Sequence, residues 1–142
     1  MYDLYDLLPN LASRYAHDRL TKFMASHGFK VTSHYLGLET AWRAEFTHVS
    51  SRKDANTSGA RSKRVIGVNS EMDALPGVGH ACGHNLIAMS GVAVSLALKA
   101  ALLKHDVPGT ILLLGTPAEE AGGGKITLLE RGAYKEMDAC IM

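Results

Sequence analysis

The feature that most constrains this chain is the order in which apolar runs and loop residues alternate after residue 64. Val65-Ile66-Gly67-Val68 is a short apolar run of strand type. A Gly- and Pro-containing loop follows from Asn69 to Gly83, then a long apolar stretch from about His84 to Lys104. After the turn signal Pro108-Gly109, a second strand-type run covers Thr110 to Leu114. Strand, helix and strand in that order predict a βαβ unit, whose crossover requires parallel pairing. A shorter helix from about Gly124 to Arg131, a stop at Gly132 and a strand from Asp138 to Met142 repeat the pattern. The predicted class is α/β, part of a mixed, largely parallel sheet flanked by helices. Ligands are expected in the loops beyond the strand carboxyl ends. The run ending at Met142 reads as a central strand, so the sheet is expected to be incomplete at the C-terminus.

Upstream, Ala16, Leu20, Phe23 and Met24 share one helical face between about Ser13 and His27, and Gly28 is placed to stop that helix. Phe29 to Leu36 reads as a strand ending in a Gly37 turn. Trp42, Ala44 and Phe46 then alternate with polar neighbours, which predicts a half-buried strand and an antiparallel pair. Residues 51–64, SRKDANTSGARSKR, carry five Lys or Arg with no aromatic among them. Without stacking platforms this stretch reads as a solvated hairpin loop rather than a nucleic-acid contact.

At 142 residues and 46% hydrophobic content the chain suits one domain with a real core. A net charge of +1 provides no bulk attraction to nucleic acid or anionic membrane. The apolar stretch from Leu86 to Leu103 is interrupted by Ser90, Gly91, Ser95 and Lys99, so it reads as a buried helix and not a membrane span. Asp3 and Asp6 stand where a signal peptide carries basic residues, and a cytoplasmic location is expected. Cys140 lies in an apolar run and reads as a buried small hydrophobe.

Two loop clusters carry candidate chemistry. In GHACGHN (79–85), Cys82-Gly83-His84 sets a thiolate and an imidazole two residues apart at a helix mouth, where both can reach one zinc or other first-row metal ion. In TPAEE (116–120), adjacent Glu119 and Glu120 can point in different directions. One can then bind metal while the other takes a proton from water that the metal has acidified. Asp73, just past a strand end on the same side, can orient a ligand or cap a turn. A packed cysteine with exposed histidines and an ordinary acidic turn are the plainer alternatives for the two clusters. Gly122-Gly123-Gly124-Lys125 lacks phosphate-loop spacing and reads as a turn feeding a helix. His17, His27, His34, His48 and His105 have no thiol or carboxylate in a ligating pattern and are expected to be structural or exposed.

MDALPGVGHACGHN (72–85) and GTPAEEAGGGK (115–125) resemble two signatures of the aminoacylase, hippurate hydrolase and carboxypeptidase-like metallopeptidases. The wording around Cys82 is similar to the Xaa-Arg (β-alanyl-lysine) dipeptidase or amidohydrolase branch. The resemblance implies the catalytic domain of a co-catalytic zinc peptidase, with Zn or Mn, two ions in the full-length protein. Cys82, His84 and Glu120 would be metal ligands, Glu119 the general base and Asp73 the carboxylate that orients a ligand. His80 belongs to the signature but not to the metal. Asn85 stands where hippurate-type relatives carry Asp. Residues 1–142 would be the N-terminal part of the catalytic domain, with the lid or dimerisation domain and further ligands absent and a homodimer formed only by the full-length protein.

The implied activity is hydrolysis of amide bonds in small dipeptides or N-acyl amino acids, with no nucleic-acid or membrane partner. The alternative is a truncated, catalytically incompetent relative lacking the downstream ligands. A structural zinc module ranks last, because it needs four closed ligands.

Overall fold

The computed structural model describes residues 4–51 and 64–142. Helix α1 (Leu4–Ser26) begins well before the periodic face at Ser13. It ends where expected: Gly28 takes φ +75° and the Phe29 N–H bonds back to the Met24 carbonyl at 3.1 Å. Strands β1 (Lys30–Ser33) and β2 (Trp42–His48) form the expected antiparallel pair. They are followed by β3 (Arg64–Glu71), helix α2 (His84–His105) and β4 (Gly109–Thr116). The short helix α3 (Glu119–Gly122), helix α4 (Gly124–Glu130) and β5 (Ala139–Ile141) complete the order.

The five strands form one mixed sheet in the order β1-β2-β4-β3-β5. β3 lies parallel to both β4 and β5, and β2 lies antiparallel to β4. The α/β sheet flanked by helices is therefore present. The hairpin expected across residues 51–64 is not, because β2 and β3 are separated by β4. Residues 52–63 lie outside the described residues, and the solvated-loop expectation falls on them.

Alternation along β4 explains its central place. Ile111 and Leu113 join a core with Met24, Trp42, Val68, Ala88 and Val92, beneath α1 and α2. Leu114 joins Ala41, Leu128 and Ala133 on the α4 face, and Leu112 is also fully buried. A strand buried on both faces reads as a continuous apolar run. Each such side chain contributes about 1.5–3 kcal/mol relative to exposure.

Three expectations need correction. β3 runs through Asn69, Ser70 and Glu71, which the apolar pattern assigns to a loop. These polar residues are buried because the parallel register with β4 continues to Glu71 opposite Thr116. β5 is an edge strand among the described strands, and Cys140 on it is exposed, not buried. Helix α2 is buried on one face only. Ala88, Gly91, Val92 and Ser95 meet the sheet, whereas Leu86, Met89 and Leu103 are exposed. By length and composition α2 passes for a membrane span, but here it packs on β3 and β4.

Candidate metal centre

β3 delivers two acids to the same side. In extended chain, residues i and i+2 face alike, so Glu71 and Asp73 point one way while Met72 points into the core. There Met72 Sδ receives the Trp42 indole N–H at 3.3 Å. Both acids are buried, Glu71 at 3% and Asp73 at 8% exposure, where a carboxylate requires partners.

The loop that follows closes on itself through reciprocal Leu75 and Gly79 backbone bonds of 2.9 and 3.0 Å. Gly83 then adopts φ +77° as the cap of α2, a left-handed conformation that favours glycine. That bend sends Cys82 and His84 to the same site, with His84 buried as the first residue of α2.

His84 is held from both ring nitrogens. Nδ1 lies 3.2 Å from the Asp73 carbonyl oxygen and 3.2 Å from Asp73 Oδ1. The N–H aligns with the carbonyl, which leaves buried Oδ1 in ionic contact without an aligned donor. A hydrogen on Nδ1, donated to the Asp73 carbonyl, would leave the Nε2 lone pair for an ion. Nε2 faces Glu71 Oε2 at 3.2 Å and Glu120 Oε1 at 3.6 Å.

β4 delivers the other cluster. Ala118, just after Pro117, sits at φ +57°, a strained value for a residue with a side chain. The chain then starts α3, and the Glu119 N–H donates to Asp73 Oδ2 at 3.0 Å, tying the two loops together. Gly124 opens α4 close under Pro117: a Cβ there would lie 1.9 Å from the Pro117 carbonyl oxygen. This approach places Lys125 where its Nζ contacts Glu71 Oε1 and lies 3.2 Å from Glu119 Oε1.

The ligand atoms of Cys82, His84 and Glu120 all lie within 4.8 Å of one another. Glu71 faces the same His84 nitrogen as Glu120, which concentrates negative charge beside this group. Of the four carboxylates here, Glu71 and Glu119 contact the Lys125 ammonium, while Glu71, Asp73 and Glu120 face His84. A hydrogen bond to Glu120, with burial and the charges of Glu120 and Asp73, pushes the Cys82 thiol pKa up. Without a cation this thiol keeps its proton, and a bound divalent ion inverts that preference. The donor set of sulfur, imidazole nitrogen and carboxylate oxygen fits zinc or a similar first-row ion. At Lys125, burial lowers the pKa, but the bonds to Glu71 and Glu119 outweigh it and raise the pKa above the ordinary value.

The structure thus brings together Cys82, His84, Glu120, Glu119 and Asp73, and His80 stands exposed outside the ligand group. Glu71 and Lys125 join them without being singled out by the sequence motifs. The signal for Glu71 is its two-residue spacing from Asp73, usable once the strand is run to residue 71. The histidines expected to lack acidic neighbours include two that have them: His17 Nδ1 meets Asp18 at 2.9 Å and His48 Nε2 meets Asp106 at 2.8 Å.

Residues 67–142 match the profile of Peptidase family M20/M25/M40, and the chain belongs to that family. Within it, the chain is 45% identical over 133 residues to the Xaa-Arg dipeptidase of Mus musculus, covering 89% of this chain and 29% of that protein. It is 42% identical over 143 residues to the Xaa-Arg dipeptidase of Homo sapiens, covering 94% and 32%. A component of the p-aminobenzoyl-glutamate hydrolase of Escherichia coli (strain K12) is 28% identical over 141 residues, covering 87% and 27%. The chain therefore spans under a third of the length of these relatives.

Proposed function

We propose that this chain carries the metal-binding half of the active site of a metal-dependent hydrolase of amide bonds in dipeptides or N-acyl amino acids. The observation that carries the reading is the convergence of Cys82, His84 and Glu120, with Asp73 behind His84 and Glu119 beside them. Three protein ligands around one ion leave a position open, as catalytic sites require. The names of the relatives support the substrate class, since both describe an acyl group joined to an amino acid. We take residues 1–142 as part of a catalytic domain whose remaining residues supply further contacts.

Cys82, His84 and Glu120 would hold the ion, with zinc favoured by the thiolate and manganese the alternative. When bound, such an ion would supply an acidified water and polarise the scissile carbonyl. The Asp73 backbone carbonyl orients the His84 ring through Nδ1, with the Asp73 carboxylate beside it. Glu119 has Oε1 engaged by Lys125, so Oε2 is the oxygen free to take the proton from the attacking water and pass it to the leaving nitrogen.

The test is hydrolysis of an Xaa-Arg dipeptide and an N-acyl amino acid by the full-length protein, with and without chelator. Turnover is expected to vanish on chelation and return with Zn²⁺ or Mn²⁺. Glu119→Gln should lower kcat by about 10²–10⁴-fold while leaving metal content unchanged. Turnover that survives chelation or Glu119→Gln would refute the reading.

A further inference from the structure

Lys125 has no part in holding the ion or moving the proton, yet its ammonium group is clamped between two carboxylates of the centre. One partner, Glu71, is buried at the end of β3, where the parallel register with β4 fixes its backbone. The other, Glu119, stands on the four-residue helix α3, bounded by left-handed residues Ala118 and Gly123. Glu119 is fixed at its backbone by Asp73, but among the described residues only Lys125 contacts its carboxylate. The carboxylate is a third exposed, so packing does not select its rotamer. Lys125 itself is held rigidly, because Gly124 brings the first turn of α4 against the Pro117 carbonyl.

We propose that Lys125 is a positioning residue that fixes the Glu119 carboxylate over the centre, using buried Glu71 as its anchor. The proposal rests on the reading of Glu119 as the base. Ionic pairing to a rigid element limits the side-chain rotation of Glu119. A misplacement of about 1 Å at a reacting group costs on the order of 10²-fold in rate. The competing role for Lys125 is only to neutralise the buried charge of Glu71, and the two roles separate in a double variant.

The experiment measures kcat, KM, bound metal and Tm for the metal-loaded full-length protein and its variants. Lys125→Met is expected to lower kcat by about 10–100-fold, with KM and metal content near those of the unmodified protein. Its Tm is expected to be lower, because buried Glu71 loses its ammonium partner. Lys125→Arg, which keeps a cation able to bridge two carboxylates, is expected to recover most of the loss. The double variant Glu71→Gln/Lys125→Met is expected to stay as slow as Lys125→Met. Recovery of kcat in that double variant would assign Lys125 to charge neutralisation and overturn the proposal. So would a Lys125→Met protein with unchanged kcat, or one whose lost activity tracks lost metal. If Lys125→Met does not fold, Lys125→Gln keeps a donor for Glu71 with a shorter reach and must show the same kcat-only loss. Glu119→Gln is run in parallel. If it retains full turnover, the base assignment fails and this proposal with it. If it is inactive while Lys125→Met is not, only the positioning role fails.

Discussion

At the scale of single residues, Glu71 and Asp73 show how two identical charges separated by one core residue take different duties. Glu71 Oε2 faces His84 Nε2, and Asp73 faces Nδ1. Asp73 also receives the Glu119 N–H, so one carboxylate braces both loops of the centre. Asp73→Asn keeps the shape and the backbone acceptor for His84 Nδ1, but removes the charge beside that nitrogen and weakens the acceptor for the Glu119 N–H. Metal affinity measured by titration calorimetry is expected to fall about 10–100-fold, with the fold retained by circular dichroism. Unchanged affinity would remove Asp73 from the ion's support. The candidate ligands were legible in the sequence because few residue types bind metal, and Cys-x-His or Glu-Glu at a loop is distinctive. Glu71 was hidden by a run of polar residues, Asn69-Ser70-Glu71, that breaks the apolar strand pattern. Lys125 was hidden in a glycine-rich turn that resembles a linker.

At the scale of elements, Asp106 joins the far ends of β2 and α2. It caps α2 in a left-handed conformation, φ +53°, and its carboxylate accepts bonds from His48, Ser50 and Ser51 at 2.8–3.2 Å. Hydrogen bonds from His48 and Ser51 hold its pKa well below the usual carboxylate range. A folded pKa below the unfolded one means that the unfolded chain binds the proton more readily. Stability from this group is therefore present above an unfolded pKa of about 3.9 and is lost as pH falls through the folded value. Asp106→Asn tolerates the same backbone conformation but removes the charge and one of the two accepting oxygens. The Tm gap between the two proteins is expected to be largest near pH 6 and to close on acidification below about pH 4. A gap independent of pH would show that the clasp acts by shape alone.

The order of elements was legible from hydrophobic period and turn residues: α2, β4 and α4 fall within a few residues of expectation. Strand ends were not, because a parallel ladder buries polar residues whose partners lie on a neighbouring strand, here Asn69 against Thr116 at 3.3 Å. The missed hairpin has a similar cause. Sequence adjacency favours pairing β2 with β3, and only tertiary packing around doubly buried β4 shows that a later strand fits between them.

For the whole molecule, the centre is a concentration of negative charge at one end of the sheet, on loops from two adjacent parallel strands. An ion bound there would link the carboxyl ends of β3 and β4, and so would act on global stability as well as on chemistry. An ion at 100 times its dissociation constant adds about 2.7 kcal/mol to the folded state. Chelation is therefore expected to lower the Tm of the purified protein by several degrees, read by calorimetry. An unchanged Tm would mean that the folded form binds the ion no better than the unfolded chain does.

The placement of β4 between β2 and β3 also sets an order of assembly. β2 and β3 end up about two strand spacings apart, roughly 9.6 Å, yet both leave the ribosome before β4 does. The nascent chain holds two apolar strands with unpaired edges facing each other and a gap that only residues 109–116 fill. Until that segment arrives, the competing arrangement is the direct pairing of β2 with β3. The last strand to enter the middle of the sheet is thus the one that excludes this misfold, and it also delivers Glu119 and Glu120 to the centre.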